Sequence, residues 1–136
     1  MYITFCRFSG PYELDDRIPT KASTALDPGD ALTNSTGLAG AASDNEIIGI
    51  AMQTKASSVV AQTPILVMFM FGRTKTYGEA EAGTFVTATD VPNAVDLNSA
   101  DGLAADTTTN KDWLPFIVLS STSAVGKFTH LATTFR

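Results

Sequence analysis

Reactive side chains are scarce in this chain, which has one His (His130), one Cys (Cys6) and one Trp (Trp113). A lone Cys excludes an internal disulfide framework. It lies in an apolar stretch beside Arg7 and reads as a small packed hydrophobe rather than a reactive thiol. His130, between Thr129 and Leu131, reads as a structural or surface residue, and the strained G-x-S-x-G turn of a serine hydrolase is absent. The good surface-helix formers Lys, Glu, Arg and Gln are few, whereas Thr, Ser, Ala, Asp and Gly are plentiful, so composition leans toward strands and turns. Nine basic residues are scattered against fourteen acidic ones, for a net charge of -5. With no basic stripe there is no footprint for counterion-release binding to nucleic acid. The longest apolar run, residues 65–71, is seven residues long, far short of the ~20 that a membrane helix needs. Met1-Tyr2-Ile3-Thr4-Phe5-Cys6-Arg7 has no basic leader before an apolar run, so no secretory signal is expected and synthesis in a reducing cytoplasm is.

What is present is a folding inventory. An apolar share of 44% with 17% charged residues is the profile of a folded domain. A chain of 136 residues is most simply one domain, burying roughly two-thirds of its unfolded surface. Residues 1–17 read as an N-terminal extended arm and connector, and residues 18–136 as the domain. In the arm, Tyr2, Thr4, Cys6 and Phe8 alternate with Ile3, Phe5 and Arg7, giving an extended segment apolar on both faces. It either joins the domain's own sheet or lies on a neighbouring subunit.

Turn signals then recur at the spacing of a sandwich or barrel. Asp27-Pro28-Gly29-Asp30 carries a type II turn dipeptide, and Asn34-Ser35-Thr36-Gly37 is a second turn. Residues 46–53 read as a strand, because the β-branched run Ile47-Ile48-Gly49-Ile50 outweighs a formal capping box at Ser43-Asp44-Asn45-Glu46. Residues 64–72 show no polar alternation and read as a strand that is central in its sheet or covered on both faces. Residues 84–88 read as a short strand and residues 89–112 as turns and loop, with one helical turn as an alternative. Residues 113–121 are strand-like, with Pro115 marking an edge or a bulge. The expected fold class is all-β, a small β-sandwich or barrel with the N-terminal arm.

No group of residues amounts to an active site. Asp96-Leu97-Asn98-Ser99-Ala100-Asp101-Gly102 has the flavour of a calcium loop, but Asp101 and Thr107 stand where an EF-hand needs Gly and Glu. A turn using Asx side chains is the better reading. Glu79 and Glu81 flank a Gly-rich bend and read as solvated. No enzyme activity, cofactor or metal is expected. Met68 and Met70, with Phe69 and Phe71, read as core, with a second copy of the chain covering one face of their strand as the alternative expectation.

The segment Leu26-Asp27-Pro28-Gly29-Asp30-Ala31-Leu32, then Thr36-Gly37, a small-residue tract and Ile47-Ile48-Gly49-Ile50-Ala51, resembles a class of tailed-phage structural proteins. These are the capsid decoration, or cement, proteins with a β-tulip or β-sandwich core. The ending Gly126-Lys127-Phe128 with its Thr-rich tail is also similar to phage virion proteins. The likeness spans residues 20–88, carries no catalytic signature and omits residues 1–9 and 89–112. It implies a protein made in the host cytoplasm that sits on the outer capsid surface of the virion, commonly as a homotrimer. Its partners would be the major capsid protein and itself, with no nucleic acid and no membrane. Contacts would then fall on residues 1–9 and the strand 64–71, through Tyr2, Ile3, Phe5, Phe8, Met68 and Met70, with Trp113. The arm would add a strand to a neighbour's sheet edge. Rival expectations are another virion part (tail, connector or fibre base) and a carbohydrate-binding β-sandwich using Trp113 and the tyrosines at 2, 12 and 77.

Overall fold

Short apolar segments broken by turn residues give eleven strands and no helix among the described residues of the computed structural model. These are residues 5–10, 12–42, 45–70, 77–81, 94–99, 102–104, 111–120 and 123–132. In chain order the strands are β1 (Phe5–Ser9), β2 (Glu13–Asp15), β3 (Ala31–Asn34), β4 (Leu38–Gly40), β5 (Gly49–Ala51) and β6 (Val67–Phe69). They continue as β7 (Tyr77–Glu81), β8 (Asp96–Ser99), β9 (Gly102–Ala104), β10 (Trp113–Ser120) and β11 (Ser123–Phe128). A four-stranded sheet runs β1-β7-β11-β10, a five-stranded sheet runs β2-β6-β5-β3-β4, and β8-β9 is a separate ribbon. All the strand pairings are antiparallel. Neither large sheet closes on itself, so of the two expected architectures the molecule has that of a small β-sandwich and not a barrel.

The core lies in two layers. Between the sheets, Phe5, Ile50, Met68, Met70, Trp113 and Phe128 are buried together. Three of them form an aromatic knot, with ring centroids 5.3 Å apart for Phe5–Trp113, 4.8 Å for Phe5–Phe128 and 4.9 Å for Trp113–Phe128. Such pairs add about 0.5–1.5 kcal/mol each beyond their burial. Gly126 makes the knot possible, since a Cβ there would stand 2.8 Å from the Trp113 ring and 2.3 Å from the Leu114 carbonyl oxygen.

The second layer covers the other face of the five-stranded sheet. Leu32, Ile48, Val67 and Phe69 pack there against Leu26, Ile65 and Ala132. Residues 67–70 therefore alternate into two cores and are covered on both faces within one chain. The long connections supply that cover and are tied in place. Thr20, fully buried, donates its hydroxyl to the Thr63 carbonyl at 2.6 Å. Lys55, only 5% exposed, donates from Nζ to the carbonyls of Lys21 (3.0 Å), Thr24 (3.1 Å) and Val59 (3.5 Å). A buried ammonium is tolerable only with such partners.

Local readings meet the structure with mixed results. The Asp27–Asp30 turn closes by an Asp30 N–H to Asp27 carbonyl bond of 3.1 Å, with φ of 93° at Gly29, a backbone angle glycine adopts without strain. The strand read over 46–53 narrows to β5, with Ile47 held outside it by a bridge to Leu131. Residues 89–112 are not all loop. They contain β8 and β9, whose Leu97 and Leu103 are buried with Val95 in the inter-sheet core. The strand read over 84–88 lies outside the described residues.

The N-terminal segment supplies an edge strand to each sheet. β1 pairs with β7, and β2 pairs with β6. The residues described from 5 to 15 thus span from one sheet to the other along one side of the sandwich.

Candidate interaction surface

Polar groups gather at one place, the junction of β8 with the start of β10 and the end of β11. Asp112 is fully buried, and its Oδ2 accepts the Leu97 N–H at 2.9 Å. Asp96 Oδ1 accepts the Lys111 N–H at 2.8 Å, and the Thr129 hydroxyl donates to the Lys111 carbonyl. His130 turns Nδ1 toward Asp112 Oδ1 at 3.7 Å, too far for a hydrogen bond. The orientation is that of a catalytic His–Asp pair, but the carboxylate's Oδ2 is committed to the Leu97 amide. Its work is to bracket the β8–β9 ribbon to the sandwich. Of the calcium-like segment, residues 96–99 and Gly102 belong to this ribbon, and the two between them lie outside the described residues. Among the described residues no cluster of His, Cys, Asp and Glu has metal-binding form.

Glu79 lies mid-strand on β7, half-buried, rather than beside a bend, and Glu81 ends the same strand. Among the described residues, the marked electrostatic perturbation is the superficial pair Asp15 and Arg17. Arg17 donates to the Asp15 carboxylate from Nε at 3.0 Å, and this hydrogen bonding holds Asp15 down at about 2.

The expected contact residues fall mostly inside the molecule. Phe5, Met68, Met70 and Trp113 are buried in the inter-sheet core, and of these only Phe5 and Met68 reach a surface, as walls of a side cavity. Phe8 is half-buried against that core, while Tyr2 and Ile3 lie outside the described residues. The same burial, 0% exposure at Trp113, removes it as a stacking platform for sugars.

Among the described residues, two groups of apolar side chains reach the surface together. The first is a cavity of about 320 Å³ at the side of the sandwich where β1 meets β5 and β6. Phe5, Phe8, Ile50 and Met68 line it, with Tyr12 and Met52, both 44% exposed, among its outermost residues. The second is the far half of β10, where Phe116 is 37% exposed, Ile117 52% and Leu119 50%.

The geometry of β10 explains how this half stays open. Trp113 exchanges both backbone hydrogen bonds with Val95 on the outer side, at 2.8 and 2.9 Å. Strand alternation turns Pro115 the same way, so its missing N–H leaves no gap in the ladder with β11. Bulges interrupt that ladder between Pro115 and Ile117 and again between Val118 and Ser120. Pro and bulges are devices that discourage strand addition at an edge. The backbone is therefore guarded while large apolar side chains are displayed. Sequence periodicity could not find either feature, because exposure of Ile117 and Leu119 depends on what stands opposite them. The cavity is assembled from separate stretches of chain. No protein-family model, curated protein or solved structure matches the chain.

Proposed function

We propose that this chain is a structural virion protein that decorates and stabilises an icosahedral phage capsid, clamping neighbouring major capsid proteins from the outer surface. The observation that carries the reading is the combination of a self-contained sandwich with a displayed apolar half-strand, Phe116 to Leu119. A small static module that closes its own core and keeps an apolar side-chain cluster outside is suited to docking on a larger assembly. The resemblance of residues 26–51 to cement proteins names the assembly. Many identical copies on one shell turn weak individual contacts into large avidity. Within this reading the contacts belong to the far half of β10 and to the cavity side. The buried residues Phe5, Met68, Met70 and Trp113 act only as support.

Quantitative mass spectrometry of purified particles from the source tests the proposal. Near parity with the major shell protein is the expected result. A handful of copies per particle would move the chain to a tail or vertex, and absence from particles would end the virion reading.

A further inference from the structure

The two large sheets have four edge strands between them, and three of these are bent or covered. β10 carries Pro115 and two bulges. β1 is kinked by a bulge between Cys6 and Ser9. β4 is covered by its own chain, since the Lys21 N–H donates to the Leu38 carbonyl at 2.9 Å and the Leu38 N–H donates to the Pro19 carbonyl at 3.0 Å. β2 is different. It has no bulge, proline or cover among the described residues, and it pairs with β6 in unbroken register, Glu13 with Phe69, Leu14 with Met68 and Asp15 with Val67.

Strand alternation decides which backbone groups of β2 face outward. The Met70 N–H donates to the Ile48 carbonyl and the Met52 N–H to the Leu66 carbonyl, both at 2.9 Å, and Ile50 pairs with Met68 between them. Residues 66, 68 and 70 therefore turn their backbone groups to β5, which leaves those of Val67 and Phe69 for β2. Their partners Asp15 and Glu13 are thereby engaged, and the N–H and C=O of Leu14 point away from the sheet. The Leu14 side chain lies on the same face as Met68, a wall of the side cavity, and is 57% exposed.

The charge of this edge decides what can add to it. Residues 13–17 hold three carboxylates, Glu13, Asp15 and Asp16, against the one guanidinium of Arg17, which donates to Asp15. An acidic edge rejects the same edge of a second copy and admits a segment of opposite sign. Glu13 and Asp15 face the side opposite to Leu14, so an added strand meets them with the residues that flank the one against Leu14. We infer that β2 is the receiving edge for an extended, basic polypeptide segment of a partner protein, which places an apolar residue against Leu14 and lysine or arginine on either side. Main-chain hydrogen bonds to Leu14 fix the register, and the alternating side chains select the sequence. This site does not depend on the capsid proposal.

NMR titration of the isolated full chain with a short capped peptide alternating valine and lysine tests it, with a peptide alternating valine and glutamate as the control. The lysine peptide is expected to shift the amides of β2 saturably, and more weakly as salt rises. The glutamate peptide should leave them unmoved. Leu14→Pro deletes the outward N–H without touching the ladder to β6, as prolines on edge strands do, and should weaken binding of the lysine peptide more than about tenfold. Glu13→Lys with Asp16→Lys changes only exposed side chains, so it serves even where the proline variant does not fold, and it should reverse the preference between the two peptides. A β2 unmoved by the lysine peptide, equal binding of both peptides, or binding unaltered in either folded variant would each overturn the inference. None of these outcomes bears on the copy count that decides the capsid proposal.

Discussion

The two halves of β10 are equally apolar and have opposite fates. At the first half, Trp113 is wholly buried against Phe5 and Phe128, while at the second, Ile117 and Leu119 stay half-exposed. Hydrophobicity does not separate them; what faces them does. Opposite Trp113 stand the aromatic rings and the bracketed β8–β9 ribbon. Ile117 and Val118 lie beyond Val125 and Ala124 on the outermost strand of the sheet. The first half holds the fold together, and the second is available to a partner. Substitutions along this hairpin and its supports can break or sharpen that division.

The largest effect is expected at Trp113→Ala, which removes the knot's central ring and should cost about 3–5 kcal/mol in denaturant unfolding. Gly126→Ala tests the same end from the backbone side. Its methyl would collide with the Leu114 carbonyl and the Trp113 ring, and a loss of about 2–3 kcal/mol is expected, as for overpacked cores generally. Lys55→Met leaves the Lys21, Thr24 and Val59 carbonyls without their donor. Such desolvated groups cost about 1–3 kcal/mol, so its thermal midpoint should fall clearly.

By contrast, Ile117→Asp with Leu119→Asp should change monomer stability by no more than about 0.5 kcal/mol per site, as at ordinary surface positions. A loss comparable to that of Trp113→Ala would mean that both halves of β10 belong to the core. The smallest effect is at β2. The carboxyl of Asp15, held at about 2 by the hydrogen-bonding Arg17, is lowered in the folded chain. Its contribution is therefore present above the ordinary carboxylate range and is lost as pH falls through about 2. Arg17 is exposed and the pair lies at the surface, so little stability is at stake. An NMR titration should place the Asp15 midpoint near 2, and Arg17→Ala should return it toward the ordinary range.

Much of the fold was legible where a local rule governs it. Pro28-Gly29 fixes its turn, Pro115 marks an edge and bulges, and the unbroken run at 65–70 marks a strand covered on both sides. The source of that cover was not legible. Leu26 and Ala132 come to the second face from distant parts of the chain, and Met68 and Met70 face the opposite sheet. A pattern read along the chain shows that both sides of a strand are apolar, not which residues meet them. That is why Met68 and Met70 looked available for a second subunit. The β8–β9 ribbon was missed for another reason. Asp96 and Asp112 look like loop residues, but here their carboxylates receive backbone amides inside the structure. The cavity and the exposed half of β10 had no sequence signature of their own, since both arise from the order of strands in the sheets.

Hydrogen–deuterium exchange on the isolated chain at low and high concentration tests the division between self-covered core and displayed edge most directly. Amides of β5 and β6 should exchange slowly at every concentration, and those of residues 116–120 should exchange faster than the amides of either strand. If instead β6 were protected only at high concentration, its cover would come from another copy. The division drawn along β10 would then be wrong.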